Sequence, residues 1–142
     1  EKDLLPGVIE NLTGNVLFHG IQVKPGMPTM LSVVNGTPVL SLSGNPFAVE
    51  ALFEVLAGGY LTDMEASRYL QKNQMKILKQ TFVKTGKMKR IVKGRCDESG
   101  VYLPQIQKNG QLKNGIGSNC LVIFPEGERT YTEGEAVRVI RI

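Results

Sequence analysis

The sequence predicts an α/β module followed by an all-β module. Up to about residue 74, helical and strand-like apolar patterns alternate. After that point the apolar segments are short, strand-like and separated by glycine-rich turns. At 142 residues and 42% hydrophobic, the chain has enough apolar material for a packed core, which excludes disorder as its main state. The modules are placed at 1–74 and 75–142.

In the first module, Leu4, Leu5, Val8, Ile9 and Leu12 recur at helical spacing, with Pro6 in the first turn. Gly14 offers the stop that a helix C′ position prefers. Val16 to Val23 reads as a strand, ended by Pro25-Gly26 and Pro28. Thr29 to Val34 and Val39 to Leu42 are strands joined across Asn35-Gly36, a strong hairpin signal. Ser43-Gly44-Asn45-Pro46 is a tight loop leading to a mostly buried helix over Phe47 to Leu56. Asn45 caps that helix and Pro46 takes its first position. Glu65 to Gln74 is the connector. In the second module, strands are expected at Met75–Val83, Lys89–Cys96, Val101–Pro104, Cys120–Phe124 and Ala136–Ile142. Their spacing suggests a small antiparallel barrel or sandwich.

Composition narrows the function. No apolar run approaches the roughly 18 residues of a membrane span. The opening Glu1-Lys2-Asp3 lacks the basic start and apolar core of a signal peptide. With no initiator Met and an α/β module too short for a complete doubly wound sheet, the chain reads as a piece of a longer protein. The net charge of +4 favours anionic ligands only weakly. Cys96, Cys120 and His19 have no zinc-site spacing, and a reduced, cytoplasmic setting is the default.

Three segments could carry chemistry. Lys24 stands at a strand end in a loop stiffened by Pro25, Gly26 and Pro28, where it could hold an anion as a point charge; the bland alternative is a turn with a surface lysine. Ser43 to Pro46 joins a strand to a helix start, whose free N–H groups and dipole suit phosphate; the alternative is a capped helix without a ligand. From Ala66 to Cys96 there are ten of the 17 basic residues and no acidic one. Only Tyr69 and Phe82 offer stacking there, so a solvated strand face is preferred to nucleic-acid binding.

Taken together, Glu-Lys-Asp at 1–3, Val-Lys-Pro-Gly-Met-Pro at 23–28, Leu-Ser-Gly-Asn-Pro at 42–46 and Tyr-Thr-Glu-Gly-Glu-Ala-Val-Arg-Val at 131–139 occur in an order that resembles the C-terminal part of the MoeA family. These are the molybdopterin molybdenumtransferases, with the E domain of gephyrin among their relatives. The resemblance covers essentially the whole chain. It implies part of a MoeA/MogA-like three-layer α/β pterin-binding domain, followed by a small C-terminal β-barrel domain. It also implies a cytoplasmic homodimer that loads molybdate onto adenylylated molybdopterin and releases AMP, with Mg2+ involved and no nucleic-acid or membrane partner.

By the resemblance, Lys24 holds molybdate and the anionic substrate, and Gly26 and Pro28 shape its loop. Ser43, Gly44, Asn45 and Pro46 form the turn that approaches the pterin phosphate. Lys93 falls where the family has an arginine facing molybdate, keeping the charge but losing the bidentate fork. Glu1 matches a glutamate near the magnesium. The sequence departs from the family's pattern at several points. Met27 stands where many members have a second lysine, Ser43 replaces a proline, and Ala48 replaces a serine. The Gln107-Lys108-Asn109-Gly110 stretch is altered. Each loss removes a possible oxyanion contact, and a hydrogen bond to a charged group is worth about 1.5–3 kcal/mol. A non-catalytic pterin-binding or scaffold module of the same fold is the alternative.

Overall fold

The structure, a computed structural model, describes residues 4–57, 72–104 and 117–142. Helix α1 spans Leu5–Asn11, with Pro6 in its first turn. It ends in a hydrogen-bonded reversal: Thr13 N donates to Glu10 O at 2.9 Å and Gly14 N to Ile9 O at 2.9 Å. The left-handed residue is therefore Thr13 (φ 55°), not Gly14 as the sequence suggested. Gly14 is needed for another reason. A Cβ there would come within 2.8 Å of both the Ile9 and Val34 side chains, where α1 packs on the sheet behind it.

That sheet has three strands in the order β1-β3-β4. Strand β1 is Asn15–His19, β3 is Met30–Val34 and β4 is Thr37–Ser41. Asn35 (φ 50°) and Gly36 (φ 78°) make the expected two-residue hairpin turn, with Val34 facing Thr37. The single strand expected over Val16–Val23 is instead two. The chain turns at Gly20 (φ +89°), and Val23–Lys24 forms a separate strand, β2.

Strand β2 leaves the first sheet and pairs in parallel with β7, Lys89–Cys96. It thereby becomes an edge of the larger sheet, ordered β2-β7-β9-β11-β5, with the short β8 (Val101–Tyr102) also on β7. Here β9 is Cys120–Phe124, β11 is Ala136–Arg141 and β5 is Asn73–Ile77. A two-stranded sheet of β6 (Phe82–Lys84) and β10 (Arg129–Tyr131) completes the described strands. The expected strand over Met75–Val83 is thus divided between β5 and β6. The expected connector ends earlier, since β5 already begins at Asn73. Among the described residues the large sheet is open, from β2 at one edge to β5 at the other, and no closed barrel forms. The architecture is mixed α/β and mostly sheet.

Strand β9, Cys-Leu-Val-Ile-Phe, is buried at every position, as an unbroken apolar run in a central strand should be. Its two-residue period serves two cores. Cys120, Val122 and Phe124 meet Val92, Leu78, Val137 and Val139 on one side. Phe124 stacks on Phe82 with ring centres 4.5 Å apart and meets Tyr131 at 4.7 Å. On the other side, Leu121 and Ile123 join Ile91, Ile140, Ala51 and Leu52. The last two belong to helix α2, Pro46–Leu52, which continues as a π-helical turn through Phe53–Ala57. Helix α2 therefore covers one face of a sheet built mainly from strands that follow residue 72. This packing brings the two loops of interest to one edge.

Candidate functional site

The Lys24 loop is held from below. Gly26 has φ +111°, and a Cβ there would lie 2.1 Å from Leu52 Cδ1 of α2. That is far inside contact distance, so the loop can sit on the helix only with glycine at this point. Buried Thr29 donates its hydroxyl to Gly26 O at 2.7 Å and its amide to the same oxygen at 3.1 Å. Gly20 N donates to Thr29 O at 2.8 Å and Ile21 N to Met27 O at 2.9 Å. The Lys24–Pro25 peptide is cis. Lys24, Met27 and Pro28 stay exposed on this anchored base.

The second loop follows β4. Asn45 caps α2 as expected: its Oδ1 accepts from Phe47 N at 3.0 Å and Ala48 N at 3.3 Å. Val49 N donates to Asn45 O at 3.0 Å, and Pro46 has no N–H to offer. The first amides of α2 are therefore already satisfied. This changes the sequence reading, in which free N–H groups awaited a phosphate. What faces outward instead is Ser43 and Gly44. Ser43 Oγ accepts from Asn45 N at 3.2 Å, which leaves its O–H to donate to a ligand. Gly44 is exposed, and a Cβ built on it meets nothing within 4 Å. Its backbone does not need glycine, and the space beside it is open.

The two loops share one open pocket of about 310 Å³. Lys24, Pro25, Gly26, Met27 and Pro28 line one side, and Ser43 and Asn45 another. Met88, from the turn between β6 and β7, completes the lining. Of the predicted residues, Lys24, Gly26, Pro28, Ser43 and Asn45 thus come together. Gly44 and Pro46 stand within the same loop but do not line the pocket. Lys93 also lies outside the lining: its Nζ is 2.5 Å from Glu50 Oε2 and 5.5 Å from the centre of the Phe47 ring. Glu1 and Gln107 to Gly110 lie outside the described residues. Met88 carried no sequence signal, because its place depends on how β7 docks on β2.

Three more cations of the basic stretch are engaged. Lys84 is buried and donates to Gly86 O at 2.8 Å and to Gly127 O. Lys76 Nζ donates to Asp97 O at 3.0 Å, and Lys72 lies 3.4 Å from Glu54. Among the described residues no three His, Cys, Asp or Glu side chains are grouped to hold a metal ion. No described helix is long and apolar enough to cross a membrane.

A mixed α/β chain with a lysine-bearing pocket between two strand-end loops is the class that fold and site define. No model of a known protein family matches the chain. It is 26% identical over 143 residues to a molybdopterin molybdenumtransferase of Staphylococcus aureus strain COL, covering 97% of this chain and 34% of that protein. It is 27% identical over 149 residues to the protein of the same name in Bacillus subtilis strain 168, covering 99% and 34%. A crystal structure of a molybdopterin biosynthesis MoeA protein from Pyrococcus horikoshii superposes with a TM-score of 0.79 at 28% identity, over 98% of this chain and 34% of that one. The chain is thus similar in sequence and fold to proteins of these names, and it spans about a third of the length of the curated relatives it matches.

Proposed function

We propose that the chain forms part of a molybdopterin molybdenumtransferase acting in molybdenum cofactor biosynthesis in the cytoplasm. It would insert molybdate into adenylylated molybdopterin and release AMP, within a homodimer. The modules at 1–74 and 75–142 would be part of a three-layer pterin-binding domain and a C-terminal β domain. One observation carries the reading: the two family-like loops, apart in sequence, line a single pocket with Lys24 at its edge. Lys24 holds an anionic group of the substrate by charge, and the Ser43 O–H donates to one of its oxygens. The work of these residues is positioning and electrostatic stabilisation, with no protein nucleophile.

Among the described residues the pocket lining contains no carboxylate, and magnesium needs hard oxygen ligands. The described lining therefore offers Mg2+ no carboxylate ligand of its own. Lys93, paired with Glu50 outside the lining, favours a second reading, in which the pocket binds pterin without turnover. Calorimetric titration with adenylylated molybdopterin tests the binding common to both. Lys24→Ala should weaken it about 10- to 150-fold, the equivalent of about 1.5–3 kcal/mol. Unchanged affinity would refute the site. Molybdate-dependent AMP release separates the two readings.

A further inference from the structure

The pocket has one wall that neither loop motif supplies. Met88 reaches it from the β6–β7 turn and lines it together with Met27. Among the described residues, Lys24 is the one charged side chain in that lining. The position of Met88 is fixed on both flanks. On one side, buried Lys84 ties Gly86 O to Gly127 O, Gly86 N donates to Glu128 Oε1 at 3.0 Å, and Gly127 N donates to Lys87 O at 2.8 Å. On the other, Lys89 N donates to Gln22 O at 3.1 Å, and Val23 and Lys24 pair with Lys89 and Arg90. A half-buried thioether thus lines the same pocket as an exposed one (Met27, 52% exposed) and Lys24.

Thioethers are polarizable and make favourable contacts with the faces and edges of aromatic rings. They offer little to a naked oxyanion. From this arrangement we infer that Met88 is a specificity-determining residue. Its thioether and that of Met27 hold the flat ring of a heteroaromatic phosphate ester, while the anionic group of that ester faces Lys24. The inference rests on the pterin-site reading and adds to it that the second module selects the ligand. A compact inorganic anion would use Lys24 and the Ser43 O–H and gain nothing from the thioethers.

The test titrates the chain with adenylylated molybdopterin and, separately, with inorganic molybdate. Met88→Ala should weaken the pterin ligand about 3- to 10-fold and leave molybdate unchanged, a split that general loss of structure would not produce. Met88→Leu, close in volume, should restore most of the lost affinity. In the unmodified chain, the Met88 methyl resonance should shift with the pterin ligand and not with molybdate. If Met88→Ala leaves pterin affinity unchanged, or weakens both ligands equally, the inference is overturned while the site stands. If Lys24→Ala alters neither titration, the site reading falls and takes the inference with it.

Discussion

Gly26 and Gly44 sit in the two loops of one pocket, and the structure treats them oppositely. Gly26 is left-handed and pressed onto Leu52, with no room for a methyl group. Gly44 is exposed and surrounded by open space. The first loop is welded to the fold beneath it. The second is capped by its own Asn45 and leaves its outer side free. A motif glycine can therefore be required by its packing or free of it, and only the surroundings distinguish the two. The Lys24 loop gives a cation a fixed address, and the Ser43–Pro46 loop leaves the space that address faces.

The contrast can be broken or sharpened in order of expected effect. Gly26→Ala should cost about 2–5 kcal/mol in chemical denaturation, combining a left-handed alanine with overpacking against Leu52. A cost below about 1 kcal/mol would mean the first loop is not welded. Lys84→Met should cost about 1–3 kcal/mol, because the turns at Gly86 and Gly127 lose a shared donor. It should also loosen Met88, read as amide exchange in the β6–β7 turn. Asn45→Ala should cost about 1 kcal/mol through loss of the cap, and Asn45→Asp should keep most of it.

A pH effect separates the sheet core from both loops. Burial, and then the neighbouring Cys96 thiol, push the Cys120 thiol from 9.0 up to about 12. The unfolded chain therefore loses this proton first. The stability contributed is complete below pH 9 and falls as pH rises from 9 toward 12. Cys120→Ala should flatten that decline in denaturant titrations, whereas Gly44→Ala should leave it unchanged.

Much of this was legible in the sequence because the signals were local. The Asn35-Gly36 turn, the Asn45-Pro46 helix start and the bounds of β7 and β9 depend on neighbours a few residues apart. The order of the two loop motifs pointed to the family. What could not be read depends on packing at long range. The chain leaves β1 at Gly20 so that β2 can pair with β7, and nothing between Val16 and Val23 announces that change of sheet. Strand β10 is a short polar segment, Arg-Thr-Tyr, fixed by pairing with β6. The amides at the start of α2 looked available until Asn45 Oδ1 was seen to take two of them. The pairing of Lys93 with Glu50 of α2 joins residues far apart in sequence, which no local spacing announces. Met88 enters the pocket only through the β2–β7 pairing.

The central claim is that a ligand sits in the pocket between the two loops, held by Lys24. Lys24→Ala tests it most directly, with thermal unfolding and titration by adenylylated molybdopterin measured on the same preparation. The account predicts stability within about 0.5 kcal/mol of the unmodified chain, as for an ordinary surface change, with affinity reduced at least about tenfold, near 1.4 kcal/mol. Full affinity in a stably folded Lys24→Ala chain would contradict it and place the ligand elsewhere.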